Sequence, residues 1–428
     1  MAKKAEKTTK EEPKELSAAS VAARLRALRA SIDKEFGANT MQTFDGSNLT
    51  QQNFEYQIPS GSIGLDIALG PVLRQPDGSW QTGFAPGKIV EVIGPESCGK
   101  STECNVIVAN AHTLAFVDIA TKQRKNPNFR AFYADMEHTW DPAYAKRLGC
   151  DVSRIDVVQP DTGEDCMNIV EMAVGSGLYA VVVVDSVAAL IPKSERDGDV
   201  GDASMGAQAR LMSQALRKVN PILTKSKTLL VFVNQIRHKI GVMYGNPETT
   251  PGGNALKFYA SYRIDLRRKE TLKDGDEVYG HVIEATVFKN KVAPPYRKAK
   301  FELVYGRGFD KYTELVDLCL GRNILVADSA WITYGGKPVG QGRFRTADKL
   351  RTDGALAYEL YDKLMTMIAA ERGFYPDGRA IPGFSPEEVQ SGGVASFVPL
   401  SDEEKAAIER DQEDEAKFLT ELNSTGGN

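Results

Sequence analysis

Between two apolar runs, KIVEVI and ECNVIVANAH, lies GPESCGKST, Gly94 to Thr102. Gly94, Gly99, Lys100 and Ser101 satisfy G-x-x-x-x-G-K-[ST], with a strand-like pattern before and a helix-like pattern after. Glycines at these offsets let backbone N–H groups converge on phosphate oxygens. The following helix adds its positive dipole end, Lys100 offsets the β and γ charges, and Ser101 is placed to ligate Mg²⁺. A Gly-rich turn closing a βα unit is the plainer alternative, and the full match of spacing and setting argues against it.

Three further polar groups end apolar runs. Asp185 closes VVVVDS, where a carboxylate can hold the metal through water; read without the phosphate loop it would be a helix cap. Glu137 in FYADMEHTWDP can polarise an attacking water, and its spacing fits an N-cap or a surface ion pair equally well. Gln235 ends LLVFVNQ, where an amide can sense a γ-phosphate.

These groups need a scaffold that brings several strand ends together. The runs KIVEVI, FRAFYAD, RIDVVQ, YAVVVVDS and KTLLVFVNQ alternate with helical or loop patterns, which predicts a mainly parallel sheet covered on both faces. After Tyr259, SYRIDLRRKE, HVIEATVFKN and AKFELVYG alternate more and are split by turns such as KDGDE, predicting an antiparallel extension. The expected class is α/β: residues 1–54 a charged start, a helix and a linker, 55–309 the phosphate-loop core, 310–397 a small α+β domain, and 398–428 an acidic tail. From Ser401 on, that tail has nine Asp or Glu against three Lys or Arg. The helix is expected in SAASVAARLRALRASIDKEFG, with Val21, Leu25, Leu28 and Ile32 in a stripe and Gly37 closing it. RQPDGSWQTG reads as a loop excursion.

The 428 residues carry a net charge of −4, which argues against a uniformly basic nucleic-acid binder and leaves room for local basic loops. No stretch approaches the roughly 20 apolar residues of a membrane span, and the charged N-terminus leads into no apolar signal region. Five cysteines without ligand-like spacing read as reduced thiols, so a cytoplasmic location is expected. The segment Arg237 to Asn254 lacks apolar periodicity and is too long for a turn. Arg237 and Lys239 suit backbone phosphates, Ile240, Val242 and Met243 suit wedging between bases, and glycines such as Gly241 free amides for phosphate contacts.

Taken in order, GPESCGKST, DPAYAKRLG, QPDTGED, VVVVDSVAALIPK, NQIRHKIGVMYGNPETTPGGNALKFYAS and FKNKVAPP resemble the bacterial RecA recombinases over roughly residues 55 to 345. The resemblance implies an ATP-dependent helical filament of identical subunits on single-stranded DNA, which pairs that DNA with homologous duplex and exchanges strands. It assigns Glu137 to water activation and Gln235 to γ-phosphate sensing. Lys289 and Lys291 would reach a neighbouring subunit's γ-phosphate; on sequence alone they are exposed strand lysines. ATP contacts extend over Gly94, Pro95, Glu96, Ser97, Cys98, Gly99, Lys100, Ser101 and Thr102, with Asp141 and Tyr144 at the adenine, and include Asp185, Ser186 and Tyr305. Mg²⁺ would sit on Ser101 and Asp185. DNA would meet a first loop, Ser194 to Gly206, through Met205 and Gly206. It would meet Arg210, Ser213 and Arg217 on the next helix, and a second loop that includes Gly252, Gly253 and Asn254.

Departures from the family pattern are Cys98 for serine, Ser101 for threonine, Tyr244 for phenylalanine, Pro251 for threonine, and longer connections near 71–85 and 118–130. They leave room for a virally or plasmid-encoded member. Two other functions share such a core: a hexameric helicase-type motor, for which no accessory domain is found, and a non-catalytic regulator, against which the intact nucleotide positions count. Nothing in the residues assigns a repressor or a single-strand-binding protein as a partner.

Overall fold

Alternate residues of a strand point to opposite faces, so a run apolar at every position needs cover on both sides. The computed structural model, which describes residues 18–37, 54–118, 123–125, 127, 129–199, 206–238 and 248–372, meets that need with one nine-stranded sheet. Its parallel part comprises β1 (Ile89–Gly94), β2 (Arg130–Asp135), β3 (Ile155–Val158), β4 (Tyr179–Asp185) and β5 (Leu229–Gln235). The antiparallel part comprises β6 (Tyr262–Asp274), β7 (Glu277–Asn290), β8 (Arg297–Val304) and β9 (Gly308–Phe309), with β6 joined parallel to β1. Across the sheet the order is β9-β8-β7-β6-β1-β5-β4-β2-β3.

The helices of five or more residues are α1 (Ala18–Phe36), α2 (Ile63–Leu69), α3 (Lys100–Thr113), α4 (Pro142–Arg147), α5 (Gly163–Ser176), α6 (Ala207–Ser226), α7 (Ala255–Tyr259), α8 (Lys311–Leu320), α9 (Gly342–Thr352) and α10 (Gly354–Glu371). On one face Val90, Val92, Val181, Val183, Val231 and Val233 share a core with Ile107 and Val108 of α3. On the other, Ile89, Val182, Val184, Leu230 and Phe232 share a core with Val170 of α5 and Met212 and Leu216 of α6. A third core lies within α8, α9, α10 and a three-stranded sheet, Val326–Asp328, Trp331–Tyr334 and Lys337–Gln341.

Contacts divide the chain into two units, Met1–Gln51 and Gln52–Asn428. In the first, α1 ends where expected: Gly37 takes a positive φ of 104° and its N–H reaches Asp33 O at 3.1 Å. Val21, Leu25 and Leu28 are exposed. In the second, two segments differ from expectation. RQPDGSWQTG is a hairpin, Leu73–Arg74 against Trp80–Gln81, closed by Gln75 N–H to Ser79 O at 2.7 Å. Helix α2 was not legible, because seven residues show too little periodicity; Ser62 caps it by accepting the Leu65 N–H. The expected tail and the end of the C-terminal region, 373–428, lie outside the described residues.

Helix α3 carries an ionisable group in an unusual place. Glu103 is fully buried, and neither carboxylate oxygen has a hydrogen-bond partner among the described residues. Burial first, then the nearby Asp66 and Glu314 carboxyls, push its pKa well above the usual range. Burial likewise raises Asp66 to about 6, although Ser60 and Thr82 donate to it, and Glu314 to about 7, although Ser62, Ile63 and Gly64 donate to it. The folded chain therefore holds protons that the unfolded chain releases. Stability falls as pH rises from the ordinary carboxylate pKa toward these raised values. Replacing Glu103 by Leu is expected to add about 1–3 kcal/mol at about pH 8 and less at about pH 5, measured by urea unfolding at both. An unchanged pH slope in Glu103→Leu contradicts this account.

Candidate nucleotide site

The turn after β1 is glycine-dependent at two points. A Cβ on Gly94 would lie 2.5 Å from both Cys98 Sγ and Leu266 O. Gly99 has φ 92° and a Cβ there would meet Leu303 Cδ1 at 2.4 Å. Gly99 caps α3 without a side-chain bond, so the first-turn N–H groups keep the anion-facing character of a helix start. Pro95, Glu96 and Ser97 are exposed and Cys98 is buried. Lys100 Nζ donates to Gly94 O at 3.0 Å and Pro95 O at 2.6 Å, which holds the ammonium over the turn.

Strand register brings the other groups to the same edge. Gly94 pairs with Gln235, and Asp135 with Asp185. Ser101 Oγ and Tyr133 OH both donate to Asp185 Oδ2 at 2.8 Å. Burial raises the Asp185 pKa, opposed by these two hydrogen bonds. A hydroxyl and a carboxylate in contact are hard oxygen donors of the kind Mg²⁺ takes, one or two from protein and the rest from phosphate and water.

Ser186 Oγ donates to Glu137 Oε1, and Gln235 Nε2 donates to the same oxygen at 3.0 Å. Glu137 therefore faces two other site residues, and of its two plainer readings neither an N-cap nor an ion pair is seen among the described residues. Its loop is held by Asp135, which accepts from the N–H groups of Thr139 and Trp140 at 3.2 Å and from Gln159 Nε2 at 2.9 Å. Tyr133, Asp135 and Gln159 were not singled out from sequence. Two of them stand inside the FRAFYAD run, where they read as ordinary strand residues.

At the rim, Tyr144 OH and Thr102 Oγ1 lie 2.9 Å apart, and the Arg147 guanidinium sits 5.6 Å from the Tyr144 ring centre. Asp141 is the N-cap of α4, accepting the Ala143 N–H at 2.7 Å through Oδ1. Tyr305 follows β8 directly and is half exposed, with its OH 2.6 Å from His281 Nε2. Lys289 lies at the end of β7 and Lys291 just beyond it. Lys289 Nζ donates to Lys257 O at 2.5 Å and Lys291 Nζ to Phe258 O at 2.9 Å.

The expected DNA segments are partly described. Met205, Lys239, Ile240, Gly241, Val242, Met243 and Tyr244 lie outside the described residues. Gly206 starts α6 with φ 79°. Arg210 and Arg217 are exposed and Ser213 half-buried, opposite the buried Leu211, Met212, Leu216 and Val219. The second loop is not irregular throughout: Arg237 pairs with Thr249 and His238 with Glu248, so its base is an antiparallel ladder, too short for a periodic signal. Gly252 and Gly253 have φ 87° and 71°, and a Cβ on Gly253 would stand 2.6 Å from Ala209 Cβ. Gly252 N–H donates to Gln208 Oε1 at 3.1 Å, while Asn254 starts α7 without a side-chain cap bond. Asn234 joins this region to the site: Nδ2 donates to Pro251 O at 3.2 Å, and Oδ1 accepts the Gln235 N–H at 3.0 Å.

A family model described as the RecA N-terminal domain matches residues 23–310. The chain is 44% identical over 337 residues to Protein RecA of Symbiobacterium thermophilum, covering 78% of this chain and 89% of that one. It is 42% identical over 348 residues to Protein RecA of Porphyromonas gingivalis, covering 81% and 95%. Against Protein RecA of Laribacter hongkongensis it is 41% identical over 384 residues, covering 90% and 95%. With its phosphate loop, its strand-end carboxylates and these matches over most of its length, the chain belongs to the RecA family.

Proposed function

We propose that the chain is an ATP-dependent recombinase whose γ-phosphate chemistry is read out by its DNA loops. The observation that carries this is Glu137 Oε1 receiving both Ser186 Oγ and Gln235 Nε2, next to the Ser101–Asp185 contact. In this reading the turn Gly94–Thr102 binds the phosphates, and Lys100 moves its ammonium from the turn carbonyls onto them. Ser101 and Asp185 would hold Mg²⁺, which when bound offsets charge on the β and γ oxygens. Glu137 orients the attacking water and takes its proton, while Ser186 holds the carboxylate in place. Tyr144, Asp141 and Tyr305 flank the base.

Gln235 is suited to couple this chemistry to DNA, because its side chain meets Glu137 and its backbone leads through Asn234 to Pro251. The second loop, Arg210, Ser213 and Arg217 would meet single-stranded DNA, with duplex DNA as the second substrate. Lys289 and Lys291 act on the neighbouring copy's γ-phosphate in a helical filament, and α1 docks its exposed stripe on that neighbour. The region from residue 310 on is a separate small domain, its end and the acidic tail lying outside the described residues. Among the described residues no helix is long and apolar enough to cross a membrane, and five buried cysteines, none in a disulfide, support a reducing cytoplasm.

Lys100→Ala is expected to abolish productive ATP binding, whereas Glu137→Gln keeps binding and slows hydrolysis by about 10²-fold or more. A Glu137→Gln protein that hydrolyses ATP at the wild-type rate removes Glu137 from the chemistry. ATP is expected to tighten single-stranded DNA binding, and DNA to tighten ATP binding by the same factor. Gln235→Ala loses that mutual gain with nucleotide affinity largely kept; fluorescence anisotropy with and without ATP measures it, and a full ATP-dependent gain in the variant sinks the switch. Deleting residues 1–37 is expected to give monomers with weak DNA-stimulated ATPase, and unchanged filaments by electron microscopy rule out docking through α1.

A further inference from the structure

Tyr305 is a half-exposed aromatic ring whose hydroxyl is anchored from below. Its OH lies 2.6 Å from His281 Nε2, and the two rings meet edge to face with centroids 5.5 Å apart and an interplanar angle of 79°. His281 is buried on β7, opposite Leu303 in the β7–β8 register, and Leu303 is the side chain that covers Gly99 of the phosphate loop. Arg268 Nη1 lies 3.4 Å from the same Nε2. A guanidinium only donates and its charge disfavours an N–H facing it, which favours the lone pair at Nε2; that one lone pair is filled by the nearer Tyr305 O–H at 2.6 Å rather than by Arg268 at 3.4 Å. Burial, then the Arg268 charge, hold His281 below its usual pKa and so keep that neutral form. Tyr305 must then spend its single O–H proton on His281, and its backbone is held as well, N–H to Tyr279 O at 2.9 Å. The ring face, not the hydroxyl, is what remains for a ligand. A surface tyrosine ordinarily loses rotamer freedom when a ligand stacks on it, and a ring already fixed avoids that cost.

We propose that His281 is a positioning residue for nucleotide binding: it fixes the Tyr305 ring as a preformed wall for the base of the bound nucleoside triphosphate. This rests on the reading that the nucleotide lies over Gly94–Thr102 with its base toward Tyr305. His281 touches no ligand, and acts through Tyr305. Its effect is therefore confined to ligands that carry a base, because the phosphate contacts come from a different element.

The test measures ATP affinity by calorimetry on the full chain, with inorganic tripolyphosphate as a ligand that lacks a base. His281→Phe keeps a ring but loses the acceptor, and Tyr305→Phe loses the donor; each is expected to weaken ATP about five-fold, the worth of one hydrogen bond. The double variant loses no more than either single one. His281→Gln, which returns an acceptor at the Nε2 position, restores most of the affinity, and tripolyphosphate binds all variants alike. Wild-type ATP affinity in Tyr305→Ala removes Tyr305 from the nucleotide site and overturns the reading beneath the proposal. A loss in Tyr305→Ala with wild-type affinity in both His281→Phe and Tyr305→Phe leaves Tyr305 at the base and overturns the positioning role. Equal losses for ATP and tripolyphosphate trace the effect to Leu303 and the phosphate loop, and also overturn it.

Discussion

Glu91 and Arg263 form an ion pair at 2.6 Å, with Glu91 fully buried and Arg263 nearly so. Glu91 also accepts from Asn234 Nδ2 at 2.8 Å, and the Arg263 guanidinium lies 4.5 Å from the Phe288 ring centre. The three polar residues sit on β1, β5 and β6, adjacent strands at the middle of the sheet. Each strand leads into something different: β1 into the phosphate loop, β5 into Gln235 and the second loop, β6 into the antiparallel extension. Removing one partner of such a pair leaves an uncompensated buried charge, a loss of about 3–5 kcal/mol. The pair is thus a constraint on register more than a source of stability, and it holds the strand ends at one level.

That level is where the site is built. Parallel strands place all their C-terminal ends on one edge, and here the edge presents two matched pairs, Gly94 with Gln235 and Asp135 with Asp185, the second pair two residues short of the first along the strands. No strand supplies more than one of these groups. Hydrogen bonds then join neighbours across the edge, Ser101 and Tyr133 to Asp185, Ser186 and Gln235 to Glu137, Gln159 to Asp135. The two carboxylates have different surroundings: Asp185 is buried and accepts two hydroxyl donors, whereas Glu137 is exposed on a loop.

The two longer connections meet each other and the C-terminal region. Gln75 Oε1 accepts the Val117 N–H at 2.6 Å, and Arg124 pairs with Asp77 at 3.0 Å. From the first hairpin, Arg74 pairs with Asp362 at 3.0 Å and Trp80 Nε1 donates to the same carboxylate at 3.0 Å. Tyr358 OH donates to Gly78 O at 3.0 Å. What looks in the sequence like unrelated excess length is one bracket between the core and α10.

Much was legible before folding. Apolar runs identify five parallel strands because burial on both faces leaves few polar positions, and the Gly-Lys-Ser spacing identifies the phosphate turn because few other residues permit that backbone. Local patterning also bounds α1, where Gly37 supplies a left-handed residue. Pairings between distant residues were not legible. Glu137 read equally as a cap, an ion pair or a base, since only the β2–β4–β5 register brings Ser186 and Gln235 to it. Tyr133 and Asp135 looked like strand residues, and Glu103 like any helical glutamate, until packing decided which side of the strand or helix faced water. His281 carries no local signal, because its meaning comes from Tyr305, 24 residues away. Periodicity and turn chemistry act over a few residues and are written in the chain; hydrogen-bond partners and burial depend on which elements become neighbours, and only the folded sheet determines that.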